Sequence, residues 1–471
     1  MQSSEPSIDL PIQPPLPVKG WRAEVKSQVR LAVPVLVIQL GLFLMGAVDG
    51  AFLGRVDEVQ FAACGIGSSY VFLFLSFGMG FLTMLDPIVS QAMGAGDHAA
   101  IGRALQRGLV FAVGLSILVA LCILPVGPLL KVWGIEPEVV EVSSQYALIS
   151  IWSVPAFLFF IALRQVLQSM NHLRPLLWAV VLTNLLNVFL NWVVVGGNLG
   201  MQPQGAAGSA WATNISRWTM LLLVPCLAWK ELGPCLRVRA ERLFHPAAYG
   251  RMIALGIPTG MQWFVEIGAF TFVTFMMGGL GTSEVAGHQV AMYLSSLSFM
   301  VPLGISMACS VRVGQAIGRR DMQGMRLAGK VGLVSGVLTM VCFGLLFALL
   351  PGPLTRLFTD LDEVWAVAVV LLPVAALFQV FDGTQVVAVG IMRGMGETRV
   401  PMILHAIGFW CIAIPLAFYL TRRTELGALG LWWALASGLF AVAVAQFLRL
   451  RVMVRRDIVR LEIDGAESAL G

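Results

Sequence analysis

Three carboxylate side chains lie well inside long apolar stretches of the sequence: Asp49, Glu266 and Asp382. A charge at the centre of a lipid bilayer costs about 2.5–3.5 kcal/mol on insertion scales. An amide could join two helices without that cost, so the use of a carboxylate indicates a need for charge. Burial favours the neutral, protonated carboxyl, whereas a bound cation favours the ionised form. The three acids therefore predict groups that bind Na⁺ or H⁺ reversibly, as an ion-coupled transporter requires.

Polar side chains accompany the acids at helical spacing. Gln262 lies four residues before Glu266, on the same helical face. Gln379, Asp382 and Gln385 form one polar stripe, and two other apolar stretches carry similar rows: Asn184, Asn187 and Asn191, and Gln289, Tyr293 and Ser296. Such groups also hold helices together, for about 0.6 kcal/mol each, and this structural role remains an alternative for the asparagines, Gln289 and Tyr293. We predict that the substrate cavity is lined by Gln39, Gln262, Gln289, Tyr293, Gln379 and Gln385.

The composition predicts a membrane protein with many helical spans. Of the 471 residues, 58% are hydrophobic and 12% are charged, against about 25% charged in soluble proteins. Apolar runs of about 20 residues, long enough to cross the hydrocarbon layer, give about twelve helices. Residues 1–28 are polar and rich in proline, so we expect no cleavable signal peptide. The seven cysteines form no CxxC pair, so we expect neither a disulfide framework nor a cofactor other than the coupling ion.

The distribution of basic residues predicts the orientation and the domain order. Most of the 31 lysines and arginines fall in one set of alternate loops and in the terminal segments. The opposite set of loops holds Arg55, Lys131, Arg356, Arg422 and Arg423. By the positive-inside rule, both termini are cytoplasmic in a multi-pass plasma (inner) membrane protein. The predicted order is an N-terminal segment (1–30), a first lobe (31–229), a basic linker (230–251), a second lobe (252–450) and a tail (451–471).

The two lobes share short segments at a nearly constant offset. Residues 90–97 (SQAMGAGD) match residues 314–321 (GQAIGRRD), and residues 170–174 match residues 395–399. An even number of spans in each lobe gives both lobes the same orientation, with a substrate site between them near the midplane. We therefore predict an all-α integral membrane fold of twelve transmembrane helices, in two six-helix lobes related by a pseudo-two-fold axis along the membrane normal.

Other charged and titratable residues in the spans give weaker signals. Arg217, in the sixth span, has no clear partner in the sequence. We expect His288 and His405 to be packing or interfacial residues rather than metal ligands. Snorkelling or pairing near the cytoplasmic membrane surface explains three further charges, those of Asp86, Arg164 and Arg312.

Several segments, taken together and in order, are similar to those of a known transporter family. They are residues 46–55 (GAVDGAFLGR), residues 90–97, the loop around Gln315, residues 378–382 (FQVFD) and residues 390–394 (GIMRG). On these segments the chain resembles the multidrug and toxic compound extrusion (MATE) family, in its NorM-like branch. The resemblance implies two six-helix lobes around a V-shaped cleft, and export of organic cations and drugs in exchange for inward Na⁺ or H⁺.

The resemblance also implies roles for individual residues. Glu266 and Asp382 match a cation site in the second lobe, which would bind Na⁺ where Na⁺ is the coupling ion. Asp49, with Asn187 and Asn191, matches a polar protonation site in the first lobe. Many relatives have threonine after the first-helix aspartate, where this chain has Gly50. The missing hydroxyl predicts a first-lobe site that is weaker or purely protonic.

Antiport by alternating access is the leading hypothesis, with no enzymatic activity. The expected partners are small amphipathic, cationic drugs and membrane lipid, without nucleic acid, and we expect a monomer. A flippase for amphipathic lipids or lipid-linked precursors is the main alternative, although it predicts a basic central cavity and the buried charges are mainly acidic. A membrane-embedded enzyme is a weaker alternative, because the sequence contains neither an HExxH motif nor a Walker loop.

Overall fold

The structure is a computed structural model that describes residues 17–55, 57–237 and 243–464, and these residues are arranged in helices without strands. The helices before the central loop are α1 (Trp21–Leu53), α2 (Glu58–Leu82), α3 (Leu85–Ala95), α4 (His98–Ile123), α5 (Val126–Val132), α6 (Pro137–Ser150), α7 (Val154–Ser169), α8 (Arg174–Val194), α9 (Gly205–Leu227) and α10 (Trp229–Leu236). Those after it are α11 (Pro246–Gly278), α12 (Thr282–Gly318), α13 (Met322–Leu349), α14 (Pro351–Arg356), α15 (Asp362–Gly394), α16 (Arg399–Ala406), α17 (Ile414–Arg423) and α18 (Gly427–Val454). A π-helical segment, Ile407–Ala413, joins α16 to α17.

The helix lengths agree with the predicted all-α membrane fold. Among the described residues, ten helical stretches are long and apolar enough to cross a membrane, and the pair α9 and α10, bent by 88°, would make an eleventh. The remaining predicted span corresponds to α11, which is 33 residues long. Gln262 and Glu266 lie within the apolar stretch of α11.

The described residues form two compact units, and two of the three boundaries between them fall inside helices, α1 and α11. The first unit comprises Val37–Gly260 with residues 462–464, and the second comprises residues 17–36 with Met261–Leu461. The start of α1 belongs to the second unit because its polar residues bond there. Glu24 accepts two hydrogen bonds from Arg312 (3.1 and 2.7 Å), so this buried arginine is paired.

The start of α11 belongs to the first unit for reasons of packing. A Cβ atom on Gly256 would lie 2.9 Å from the Phe81 ring, and one on Gly260 would lie 2.9 Å from the Phe77 carbonyl oxygen. Glycine at these two positions lets α11 approach α2 closely. The first part of α1 and of α11 therefore belongs to one unit and the rest to the other. The composition of the loops does not indicate these boundaries, because they lie inside helices.

The internal repeat is visible in the backbone. Gly96 and Arg320 are matched positions, and both have a left-handed conformation, with φ of 72° and 59°. Asn171 and Gly396 are also matched, with φ of 61° and 85°. A left-handed residue after a helix lets the following N–H groups reach carbonyls of the last turn. The repeated sequence thus encodes a repeated helix ending.

Helices α4 and α13, which follow the turns at Gly96 and Arg320, begin with the same kind of cap. Asp97 accepts a hydrogen bond from the Ala100 N–H (3.0 Å) at the start of α4. Asp321 accepts one from the Gly324 N–H (2.7 Å) at the start of α13. Aspartate at this position satisfies an N–H group that has no partner within its helix. The two aspartates of the repeat are therefore helix caps.

The end of the described chain docks on the first unit through Asp464. Its carboxylate accepts hydrogen bonds from Arg103 Nε (2.6 Å) and Arg107 Nη2 (2.6 Å). Arg251 Nη1 donates to the Glu462 carbonyl (2.8 Å). Burial opposes ionisation of Asp464, but the hydrogen bonds and charges of Arg107 and Arg103 outweigh it and lower the pKa of that carboxyl.

We expect Asp464→Asn to lower the free energy of unfolding by about 1–3 kcal/mol, because charge-assisted hydrogen bonds to two buried arginines are lost. The folded-state pKa of Asp464 lies below the unfolded value of about 3.9. The stabilisation is therefore present above that value and is lost as pH falls through the folded-state pKa. In thermal unfolding of the purified proteins, the wild type should be more stable than Asp464→Asn by a constant amount from about pH 8 to about pH 5. This stability difference should shrink below about pH 4. An advantage that grows on acidification would contradict this assignment.

Candidate ion-coupling sites

Asp49 is buried in the first unit and accepts three side-chain hydrogen bonds. Asn191 Nδ2 donates to Oδ1 (2.8 Å), and Asn187 Nδ2 donates to the same oxygen (3.3 Å). Thr213 Oγ1 donates to Oδ2 (2.5 Å). The structure thus brings together the three residues that the sequence grouped here, and adds Thr213 from α9, which the sequence did not single out.

Close packing of α1 against α8 places Asp49 beside the asparagines. A Cβ atom on Gly41 would lie 2.2 Å from Val180 Cγ1, so glycine is required at this helix crossing. About two turns further along each helix, Asp49 meets Asn187. Gly41 therefore helps to position the carboxylate that lies on the same helix.

Thr213 provides a hydroxyl at the site although Gly50 does not. The sequence predicted a weaker site because the hydroxyl of the family pattern is missing after Asp49. In the structure, a hydroxyl reaches the carboxylate from another helix. The side-chain oxygens of Asn187 and Asn191 are also buried without a hydrogen-bond partner among the described residues. Each of these amide oxygens could accept a further hydrogen bond.

Arg217 has a structural role next to this site. The fourth span breaks between α6 and α7, where Pro155 has no N–H to donate. Arg217 Nη1 donates to Ser153 Oγ (3.0 Å) at the break, and its guanidinium lies 4.7 Å from the centre of the Phe157 ring. Asn214 on the same helix donates to a carbonyl of the last turn of α6 (2.8 Å). Arg217 and Asn214 on α9 thus bond to a side chain and to a backbone carbonyl beside the break.

In the second unit, one amide joins Glu266 on α11 to Asp382 on α15. Gln385 Nε2 donates to Asp382 Oδ1 (3.1 Å) and to Glu266 Oε1 (3.3 Å). Asp382 is 5% exposed and the Glu266 side chain is 18% exposed. Two ionised carboxylates that share a neutral amide in an apolar setting repel each other. A bound proton or cation would relieve that repulsion.

His405 lies against Glu266, although the sequence suggested a packing role for it. Its Nε2 atom is 3.7 Å from Glu266 Oε2 and 3.4 Å from Gln262 Nε2. Its Nδ1 atom is 2.8 Å from the Pro401 carbonyl oxygen and 3.1 Å from Gln446 Nε2. The imidazole is fully buried. The only sequence signal for His405 was a titratable residue inside an apolar span. Its partners Glu266 and Gln446 lie on other helices, so no local sequence pattern indicates these contacts.

The other predicted cavity residues make different contacts. Gln39 accepts a hydrogen bond from the buried Arg164. Gln379 donates to a backbone carbonyl of α12 (3.0 Å) rather than to its neighbour in the stripe, Asp382. The side chains of Gln289 and Tyr293 are half-buried and exposed, respectively.

The expected sodium ligands are two carboxylates rather than a larger cluster. Within the ranges that the structure describes, no group of three or more His, Cys, Asp or Glu side chains is arranged to hold a metal ion.

Comparison with known families identifies the class of protein. The sequence model of the MatE family matches residues 34–193 and 258–419. The two matched segments cover most of both units, and each contains one of the carboxylate sites described above. The chain belongs to the MatE family, which confirms the resemblance drawn from its sequence segments.

Individual relatives match over almost the full length. A probable multidrug resistance protein NorM from Bradyrhizobium diazoefficiens is 35% identical over 440 residues, covering 92% of this chain and 94% of the relative. The multidrug resistance protein NorM of Aliivibrio fischeri is 30% identical, covering 94% and 98%. The fold is similar to that of the eukaryotic MATE transporter AtDTX14, with a TM-score of 0.86 at 20% identity and coverage of 93% and 97%. An outward-facing MATE family transporter matches with a TM-score of 0.82 at 20% identity, covering 92% and 96%.

We expect Thr213→Val to destabilise the protein by about 1–3 kcal/mol, because it removes a buried donor from Asp49 with little change of volume. Asp49→Asn removes the charge that this hydroxyl satisfies, so the two substitutions should be coupled. A double-mutant cycle of thermal stability checks this, with an expected interaction energy of about 0.5–3 kcal/mol. Additive effects would show that the hydroxyl does not act on the carboxylate.

Proposed function

We propose that this chain is a cation-coupled multidrug efflux antiporter. It exports amphipathic, mainly cationic drugs across the plasma membrane in exchange for inward Na⁺ or H⁺, as a monomer with both termini in the cytoplasm. The observation that carries the proposal is the pair Glu266 and Asp382, which share the amide of Gln385. Relatives over more than 90% of the chain are named multidrug resistance proteins, which supports drugs as the substrate class.

The mechanism follows from the charge of this pair. When both carboxylates are ionised, the shared amide cannot balance them, so an empty site favours uptake of a cation. A bound cation stabilises the conformation in which the pair is neutralised, and a cationic drug favours the conformation from which the cation has left. By linkage, each ligand weakens binding of the other by the same factor. The Asp49 cluster, which provides its own donors, would serve as a second protonation site.

This arrangement also favours transport over the alternatives. Membership of the MatE family argues against a membrane-embedded enzyme. The two acids Glu266 and Asp382, joined by the Gln385 amide, suit a cationic substrate better than the anionic headgroup that a lipid flippase would carry. Neutralisation by an incoming cation uses both acids.

We expect Asp382→Asn to reduce gradient-driven efflux by at least about tenfold, because an amide cannot alternate between charged and neutral forms. The measurement is efflux of a cationic dye from proteoliposomes under an imposed Na⁺ gradient or pH gradient. The matched control is Asp362→Asn, the same substitution at an exposed position on the same helix, where the side chain is 86% exposed. Thermal stability measured on both variants separates loss of coupling from loss of folding. Unchanged efflux by Asp382→Asn would sink the proposal.

A further inference from the structure

Two basic side chains of the second unit lie on exposed helix faces, Lys330 on α13 and Arg451 on α18. In the part of the chain that the structure describes, neither forms an ion pair with a carboxylate. Both helices are long and apolar enough to cross a membrane. We propose that these residues bind the headgroup phosphate of an anionic phospholipid, whose acyl chains lie in a groove bordered by α13, α15 and α18. The proposal depends on neither the coupling ion nor the drug.

The start of α13 and the end of α18 are joined by a hydrogen bond. Arg326 Nε donates to the Val454 carbonyl oxygen (3.0 Å). Lys330 lies one turn after Arg326, on the same face of α13. Arg451 lies in the last turn of α18, three residues before Val454. The two basic side chains therefore flank one hydrogen bond at the same end of two adjoining helices.

The charge of Arg451 is directed away from the helix end. Its guanidinium carbon lies 4.5 Å from the centre of the Phe447 ring, and Phe447 is one turn nearer the middle of α18. A long basic side chain near the end of a membrane helix usually extends toward water. Here it stacks on an aromatic ring at the level of apolar residues, where an anionic headgroup would balance its charge. Arg449 differs, because Glu397 Oε2 lies 2.5 Å from its Nη2 atom.

One wall of the groove is aromatic and comes from α18. Phe440, Phe447 and Arg451 are spaced by seven and four residues, so they share one face of the helix. The Phe440 ring on this face lies 5.0 Å from the ring of Phe381 on α15. The aromatic wall therefore leads from Arg451 toward the middle of the membrane and borders α15.

The opposite wall is aliphatic and comes from α13. Val337 and Val341 lie seven and eleven residues after Lys330, on its side of the helix, and both are half-buried. A Cβ atom on Gly344 would lie 3.5 Å from Val380 Cγ2, so α13 packs closely on α15 there. This wall therefore leads from Lys330 toward the middle of the membrane and borders the same helix, α15.

Helix α15 is covered at the charged end of the groove and open further along. A Cβ atom on Gly329, next to Lys330, would lie 3.4 Å from Ile391 Cγ2, and residues 385–394 are all buried. Leu377, nearer the middle of the helix, is 42% exposed. Acyl chains would lie where α15 is open, with the headgroup at the two basic residues. Basic side chains at a membrane surface recognise anionic lipids by this charge complementarity.

The test measures lipid binding to the purified chain by native mass spectrometry. The probes are phosphatidylglycerol, which is anionic, and phosphatidylcholine, which has no net charge. The variants are Lys330→Gln, Arg451→Gln and the double variant. The matched control is Arg174→Gln, an exposed basic residue at the start of α8, whose neighbour one turn along, Trp178, is also exposed. Thermal unfolding checks that each variant is folded, and the single variants carry the test if the double variant is not.

The wild type should bind phosphatidylglycerol at least about tenfold more tightly than phosphatidylcholine. Each single variant should bind phosphatidylglycerol about fivefold more weakly than the wild type, and the double variant about thirtyfold, because each basic residue contributes to binding of the anionic headgroup. Arg174→Gln should bind both lipids as the wild type does. Glycerol 3-phosphate, which has the phosphate without acyl chains, should not compete.

Three results would overturn the proposal. The first is equal binding of the two lipids by the wild type. The second is binding of phosphatidylglycerol by the Lys330 and Arg451 variants that equals binding by Arg174→Gln. The third is displacement of phosphatidylglycerol by glycerol 3-phosphate, which would assign the basic residues to a soluble phosphate. None of these measurements involves transport, so they decide the lipid site separately from the proposed function.

Discussion

A carboxylate buried among apolar helices needs hydrogen-bond donors, a proton or a cation, and the two units meet this need differently. In the first unit, Asp49 receives donors from Asn187, Asn191 and Thr213. In the second unit, Glu266 and Asp382 share the single amide group of Gln385. The first arrangement satisfies an ionised carboxylate with groups of the protein, whereas the second leaves charge for an incoming cation to balance. The second-unit pair is therefore the stronger candidate for coupling.

The helix packing of each unit serves these acids. Glycine at position 41 lets α1 approach α8 until Asp49 meets the asparagines. In the second unit, Gly408 lets the π-helical segment that follows His405 pack closely against α18. Where a helix breaks at Pro155, polar residues of α9 satisfy the exposed backbone. Each local irregularity is thus matched by a partner that keeps polar groups bonded inside an apolar layer, as membrane helices require.

The sequence predicts the helices well because length and hydropathy alone determine which segments can cross a membrane. The repeat is also visible in the sequence. The left-handed turns at Gly96 and Arg320 are each followed by an aspartate that caps the next helix, so both lobes share a similar segment there. The contacts within the site were harder to predict. Thr213 and His405 bond to residues far away in the sequence, so no local spacing reveals them. Within the polar stripe of α15, Gln385 bonds to Asp382, whereas Gln379 bonds to the backbone of α12.

In the proposed mechanism, a coupling cation and a drug act against each other through Glu266 and Asp382. Equilibrium binding of a fluorescent cationic drug to the purified protein in lipid nanodiscs, measured over ranges of pH and of Na⁺ concentration, tests it most directly. We predict that drug affinity falls by a factor of about 5–150 as the coupling cation saturates its site. In the double variant Glu266→Gln, Asp382→Asn, the drug should still bind and this dependence should disappear. The mechanism would be contradicted if drug affinity in the wild type depended on neither pH nor Na⁺ concentration, or if the double variant kept the dependence of the wild type.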